Sequence, residues 1–393
     1  MRKHLSIDEL APGMFVSQVI EQTGKIRVKT GGLVKTPQVI AQLRDRGILK
    51  VEVDYTRSTV PAPAEPVKPA GPKDKAKVVS GQQAISQADT LYQQAVSLQS
   101  SLVRSLSQGA AEDLRDAETL SQSIIDSVFD NQDAICCLTL IKDADEYILE
   151  HAINCSILMA VFAAKLGFDR DTIDSACLGT LLMDVGMSLV PTELRQQTTP
   201  LSSDDKAVIE SHVDQGVALV EQYPDISDLA LTIVAQHHER VDGSGYPRQL
   251  QGEAISEFAR MAAIVDTYDA MVSNRPHQQS VAPAVALKRL TKNTGLDQTL
   301  VSQFIKIIGV HPVGSLVQLT SGKLGIVVST NSADLLKPVV MVFYSVNGGH
   351  YSEIKKIDLS VSNDEIVSGV RPGDFNIDLP KFFRDVFVHQ MPG

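Results

Sequence analysis

Residues 237–247 read His237-His238-Glu239-Arg240-Val241-Asp242-Gly243-Ser244-Gly245-Tyr246-Pro247. Two adjacent imidazoles and a carboxylate close the apolar run LALTIVAQ, and a glycine-rich turn follows at once. Such groups are costly beside a buried segment unless something binds them. Paired His with carboxylates nearby suit a hard or borderline metal ion, and a metal site points to hydrolysis or ligand sensing. Gly243 and Gly245 permit positive φ, and Pro247 stiffens the exit. The turn would fix a lip beside the ligands with Tyr246 at its edge. A plain helix-to-helix loop is the simpler reading, and Gly-x-Gly-Tyr-Pro directly after His-His-Glu weighs against it.

Working outward, residues 134–308 read as an all-helical domain. Apolar periodicity recurs over Ile148–Gly167, Arg170–Met183, Ser203–Glu221, Ser227–His238, Ser256–Val272 and Ala282–Lys292, with prolines in the breaks. Potential ligands fall on these helices or their ends: His151, Asp184, His212, His237, His238 and Asp266. Each alone has a bland explanation, a satisfied core histidine or a capping aspartate. Six within one domain are harder to dismiss.

The flanks differ in character. Residues 1–58 read as a small α/β module, with strands at Phe15–Ile20, Lys25–Lys29 and Lys50–Asp54 and a short helix at Pro37–Arg46. Residues 59–80 open on a Pro/Ala/Lys tract that cannot bury a core and reads as an extended linker. Residues 81–133 show helical spacing, which suits an interdomain or homodimerising helix and equally a plain packing helix. Residues 309–393 turn strand-rich, with strands at Val313–Thr320, Leu324–Ser329, Val339–Ser345 and Glu353–Asp358. The fold class is therefore multidomain and mainly α, with a β-rich C-terminal module.

A chain of 393 residues accommodates two or three domains. Its net charge of −11 argues against broad binding to nucleic acid or to an anionic membrane. A small anionic ligand remains compatible where a local basic group meets it. The four cysteines form no C-x-x-C pair and read as buried reduced thiols. The N-terminus lacks the apolar stretch of a signal peptide, and no apolar run is long enough to span a bilayer. These features predict a cytoplasmic protein without membrane insertion.

The order His151; Asp184 in LLMDVGM; His212 in ESHVDQG; HHERVDGSGYP; Asp266-Thr267-Tyr268-Asp269-Ala270 resembles the HD-GYP domain, a branch of the HD phosphohydrolase superfamily. The resemblance covers roughly residues 134–308, and the HHE…DGSGYP block is a specific signal. It implies a helical domain around a divalent-metal centre that hydrolyses cyclic di-GMP to pGpG and in cases to GMP. By the match, His212, His237 and His238 hold one ion, His151 and Asp266 the other, and Asp184 is shared between them. Catalytic roles would fall to Asp184, His238 and Glu239. Substrate contacts would fall to Arg275, Tyr246, Gly245 and Pro247. Iron or manganese is more usual in the family than zinc.

The sequence departs from the family pattern inside the site. Met183 stands where the family has the His before the Asp, and a thioether is a poor ligand for such cations. Met187 replaces a Lys near the scissile phosphate, and Tyr147 replaces the Glu of three-metal members. His277 and Gln278 follow Arg275-Pro276 where Tyr and a basic residue are common. One or two ions, not three, are therefore expected, with Met183 weakening one site. The leading expectation is a cyclic di-GMP phosphodiesterase of reduced activity. The alternative is a degenerate relative that binds cyclic di-GMP, or a partner signalling protein, without hydrolysis. A third reading, an HD-type hydrolase of another phosphoester, fits the ligands but not the GYP turn.

Overall fold

The computed structural model describes residues 2–7, 10–23, 31–54, 57–58, 81–109, 114–140, 147–273, 279–331, 333–375, 377 and 379–382. The strand expected at Lys25–Lys29, the linker at 59–80 and Arg275 with its neighbours lie outside the described residues. The chain forms two compact units, Met1–Val78 and Val79–Gly393.

The first unit contains β1 (Arg2–Ser6), β2 (Phe15–Gln22), β3 (Gly32–Leu33), α1 (Pro37–Asp45) and β4 (Ile48–Asp54). The strands form one antiparallel sheet in the order β1-β4-β2-β3. Val51 and Val53, two apart on β4, point to the same face and are fully buried. They pack with Val16 and Ile48 against Val39, Ile40 and Leu43 of α1. β1 was not anticipated, because its RKHLS sequence carries no apolar alternation.

The second unit is mainly helical. α2 (Gly81–Ser107) and α3 (Arg115–Leu138) lie against each other and against the central helices. α3 breaks at Asn131, where φ is −157° and ψ 88°. The Asn131 side chain restarts the helix by accepting the Ala134 N–H at 3.0 Å. α4 (Tyr147–Leu166) is apolar nearly all round and sits in the core, as such a helix must. Among the described residues it alone is long and apolar enough to cross a membrane, over Leu149–Leu166, yet 78% of that window is buried inside the protein.

α5 (Arg170–Leu182) starts on an Asp169 cap that accepts the Thr172 N–H, and a 3-10 turn, Val185–Leu189, follows it. Next come α6 (Thr192–Arg195), α7 (Ser203–Glu210), α8 (His212–Val220), α9 (Asp228–Gln236), α10 (Glu257–Val272), α11 (Pro283–Leu290) and α12 (Gln298–Ile308). The run read as one helix over Ser203–Glu221 is two helices separated at Ser211.

Five antiparallel strands complete the unit: β5 (Leu316–Leu319), β6 (Lys323–Ser329), β7 (Val339–Ser345), β8 (His350–Asp358) and β9 (Ile366–Gly369), in the order β8-β7-β6-β5-β9. Period-two alternation splits their apolar residues between faces. Leu324, Ile326, Met341 and Phe343 join the helical core. Val317, Val327, Val340 and Val342 pack with Leu359 in a second cluster. The short α13 (Leu379–Phe382) lays Phe382 on Phe343, ring centroids 4.3 Å apart. The architecture is thus mainly α, with one small antiparallel sheet near each terminus.

Candidate metal centre

Five segments bring the polar groups together. His151 lies in the first turns of α4 and Asp184 between α5 and the 3-10 turn. His212 opens α8, His237 caps α9 with His238 beside it, and Asp266 lies in α10. Two glycines set the closeness of these segments. A Cβ on Gly179 would stand 2.7 Å from Ala230 Cα, so α5 touches the backbone of α9. A Cβ on Gly186 would collide with the carbonyl oxygen of His212, so the turn after Asp184 lies directly on the start of α8. Both contacts draw the ends that carry the ligands inward.

Asp184 is at the middle. Its Oδ1 lies 3.3 Å from His212 Nε2 and 3.7 Å from His237 Nε2. Its Oδ2 lies 3.6 Å from His151 Nε2. The other ring nitrogens are committed to backbone: His212 Nδ1 donates to the Ile209 carbonyl at 2.7 Å, and His237 Nδ1 donates to the Val234 carbonyl at 2.9 Å. That pairing fixes Nδ1 as a protonated nitrogen in both rings and turns both Nε2 atoms toward Asp184. Asp184, His212, His237 and His238 offer four ligand atoms within 4.8 Å of one another. On the other side, His151 Nε2 is 3.1 Å from Asp266 Oδ1, and His238 Nδ1 is 3.7 Å from Asp266 Oδ2.

The donor chemistry fits a divalent cation. The donors are neutral-capable imidazoles and carboxylates, four of the six buried and Asp184 and His238 partly so, the setting in which such groups are paired or bind metal. Burial opposes the charge on Asp184, but the facing imidazoles of His212 and His237 hold its carboxyl well below the usual range. Burial likewise opposes the charge on Asp266, and His151 and His238 hold it low. Burial lowers the tendency of His238 to protonate, and its neighbour His237 lowers it further, so His238 is a neutral imidazole at pH 7. Burial acts the same way on His212, but Asp184 outweighs it and raises the imidazole above its ordinary value.

The glycine turn is strapped to this group. Tyr246 N–H donates to the His238 carbonyl at 3.3 Å, and the Tyr246 ring stacks on His238 at 4.7 Å. It also meets His212 edge-on. A Cβ on Gly245 would fall within 2.6 Å of the 238–240 backbone, so only glycine lets the turn close here. Gly243 has φ +80°, and the Tyr246–Pro247 peptide is cis. Burial, reinforced by Asp266 and Asp184, pushes the Tyr246 phenol far up, so it stays protonated.

Glu239 is not brought to the imidazoles. Both its oxygens are taken by the strap: Oε1 accepts the Arg248 N–H at 2.7 Å and Oε2 the Leu250 N–H at 2.9 Å. Alongside the catalytic role expected of it from the motif, Glu239 thus makes a loop-holding contact. The reason is physical: a buried carboxylate takes the strongest donors within reach, and two backbone N–H groups lie there.

Asp269 was quoted in the motif but not counted with the site. It is fully buried, with Oδ2 2.7 Å from His151 Nδ1, and Ser273 Oγ stands 3.1 Å from the same oxygen. Its i,i+3 spacing from Asp266 on one helix face was the signal. Met183, where the resemblance expects a ligand His, is fully buried in the helical core. Arg275 lies outside the described residues.

Fold and site define a helical HD-type scaffold around a candidate divalent-metal centre. The HD domain family profile matches residues 136–300, and a profile described as a domain of unknown function (DUF3391) matches residues 2–117. A Pseudomonas aeruginosa protein named cyclic di-GMP phosphodiesterase PA4108 is 32% identical over 357 residues, covering 88% of this chain and 86% of that one. The Xanthomonas campestris cyclic di-GMP phosphodiesterase response regulator RpfG is 28% identical over 58% of this chain and 57% of its own length. A solved structure, Bd1817, a HDG"Y"P protein from Bdellovibrio bacteriovorus, aligns with a TM-score of 0.49 at 16% identity, covering 77% of this chain and 98% of that one. The chain belongs to the HD-GYP family.

Proposed function

We propose that this protein is a metal-dependent phosphodiesterase that opens cyclic di-GMP to pGpG and GMP, with reduced activity. The observation that carries this reading is the placement of Asp184. One carboxylate oxygen faces His212 and His237, and the other faces His151. That is the disposition a carboxylate needs to serve two neighbouring cations.

On this reading His212, His237, His238 and Asp184 hold one ion, and His151, Asp266 and Asp184 hold the weaker second. Iron or manganese is the choice the family resemblance implies, and the N/O donor set is compatible with either. A bound divalent ion supplies charge neutralisation at the scissile phosphate and makes water more acidic. The chain's own groups do the rest. His212 and His237, locked by their carbonyl partners, keep the carboxylate aimed inward. Tyr246, a protonated phenol beside two carboxylates, offers a donor to a phosphate or ribose oxygen. Gly245 and Pro247 shape the lip on which the substrate rests, and Arg275 is proposed to meet a phosphate. A cytoplasmic setting suits four unpaired cysteines.

The test is direct. Protein reloaded with Fe²⁺ or Mn²⁺ under anaerobic conditions is incubated with cyclic di-GMP, and the products are separated. Absence of pGpG and GMP at every metal loading sinks the reading.

A second reading rests on Met183. It precedes Asp184 in the chain, is fully buried in the helical core, and stands where the resemblance expects an imidazole. On that reading the protein binds cyclic di-GMP, or a partner protein, without cutting it. Saturable binding with no product would support it.

A further inference from the structure

The resemblance places a second imidazole where Met183 stands, so the half of the candidate centre built on His151 leans on that one ring. His151 is almost fully buried, and both ring nitrogens are engaged. Nε2 faces Asp266 at 3.1 Å and Asp184 at 3.6 Å, on the ligand side. Nδ1 faces away, 2.7 Å from Asp269 Oδ2. Behind Asp269, the Ser273 hydroxyl lies within donating distance of both the Asp269 carbonyl, at 2.6 Å, and Oδ2, at 3.1 Å. Asp269 and Ser273 sit one turn apart at the end of α10, three and seven residues after Asp266.

We infer that Asp269 is a positioning residue for His151, and that Ser273 in turn orients Asp269. Through an Nδ1–H donated to the carboxylate, Asp269 fixes the ring so that the Nε2 lone pair points at Asp184 and Asp266. A carboxylate partner also makes Nε2 a better donor toward a cation. Asp269 reaches no reacting atom on this account; it acts through His151. The inference rests on the metal-centre reading proposed above.

Three features favour positioning over packing. Asp269 is a fully buried carboxylate, which packing alone would replace with an apolar residue. Its partner is the nitrogen opposite the ligand side. It also shares a helix with Asp266, so the ligand and the residue that aims its neighbour move as one body.

The experiment measures Mn²⁺ affinity and stoichiometry by calorimetry in wild type, Asp269→Asn and His151→Ala. Asn can keep the shape while removing the charge, and its amide favours the wrong tautomer. Asp269→Asn should weaken one class of site by about 10- to 100-fold, the range reported for lost partners of ligating imidazoles. The other class and the circular dichroism spectrum should not change. Unchanged affinity in both classes overturns the inference. Failure of wild type to bind Mn²⁺ at all would instead sink the metal-centre reading itself. A measurement on wild type covers the case in which the variant does not fold. In Zn²⁺-loaded, ¹⁵N-labelled protein, His151 should show a protonated Nδ1 with a strongly downfield proton. An unprotonated Nδ1 overturns the inference.

Discussion

Glu239 and Arg248 are joined across nine residues of turn: the Glu239 Oε1 accepts the Arg248 N–H at 2.7 Å. Because Oε2 holds Leu250 as well, one buried side chain closes the whole lip beside the imidazoles. Glu239→Ala removes both contacts from the Arg248 and Leu250 N–H groups, a loss of about 1–3 kcal/mol in all. A drop of that size in the urea midpoint, with metal content retained, is expected. Loss of turnover with no loss of stability would return Glu239 to a catalytic role.

Gly186 lets the turn after Asp184 lie on the first carbonyl of α8. Gly186→Ala should push the two apart, costing about 1–3 kcal/mol as overpacking does. Because His212 is the residue displaced, metal content should fall along with the melting temperature. Wild-type metal content in a destabilised variant would separate packing from ligation and argue against this placement.

Asp133 provides a pH test outside the candidate ligand set. Burial raises its carboxyl above the ordinary value, and the Ser329 hydroxyl, donating at 2.7 Å, only partly offsets this. A carboxyl raised in the folded state binds protons more readily there than in the unfolded chain. Its stabilising contribution is therefore fully present below the ordinary carboxylate value and is lost as pH rises through the folded one. Asp133→Asn can still accept from Ser329 and has no charge to bury. The stability gain of the variant, read by urea unfolding from pH 3.5 to 7, should grow from near zero to a plateau. A gain that shrinks with rising pH reverses the sign and contradicts the assignment.

How far the sequence showed all this differs by element. The helix ends were legible where caps and prolines stood, as at Asp169 and Ser227. The residues that cluster in the candidate centre could be picked out because each His or Asp closes or interrupts an apolar helix. The role of Glu239 was not, because adjacency to two histidines says nothing of where a side chain turns, and the donors that claim it lie nine and eleven residues on. Gly179 and Gly186 were equally silent: a glycine inside a helical pattern shows its reason only when the facing backbone is known. β1 and β9 escaped because one is charged and the other only four residues long, so their pairing partners, not their own patterns, make them strands.

Met183→His combined with Met187→Lys should restore what the weaker half lacks. Both positions lie beside Asp184, and Met183 is fully buried, so the metal-free variant should be less stable than wild type. Added Mn²⁺ should then stabilise it more than it stabilises wild type. Turnover should rise on the order of 10²-fold, the scale of a single well-placed electrostatic group. No gain in either readout would mean that this half of the site is not limiting.

The most direct test compares wild type with Asp184→Ala, each reloaded with Mn²⁺ and given cyclic di-GMP. The account predicts slow formation of pGpG by wild type, and a loss of at least about 100-fold in the variant together with loss of bound metal. Equal product from both proteins, or none from wild type at any loading, would contradict it.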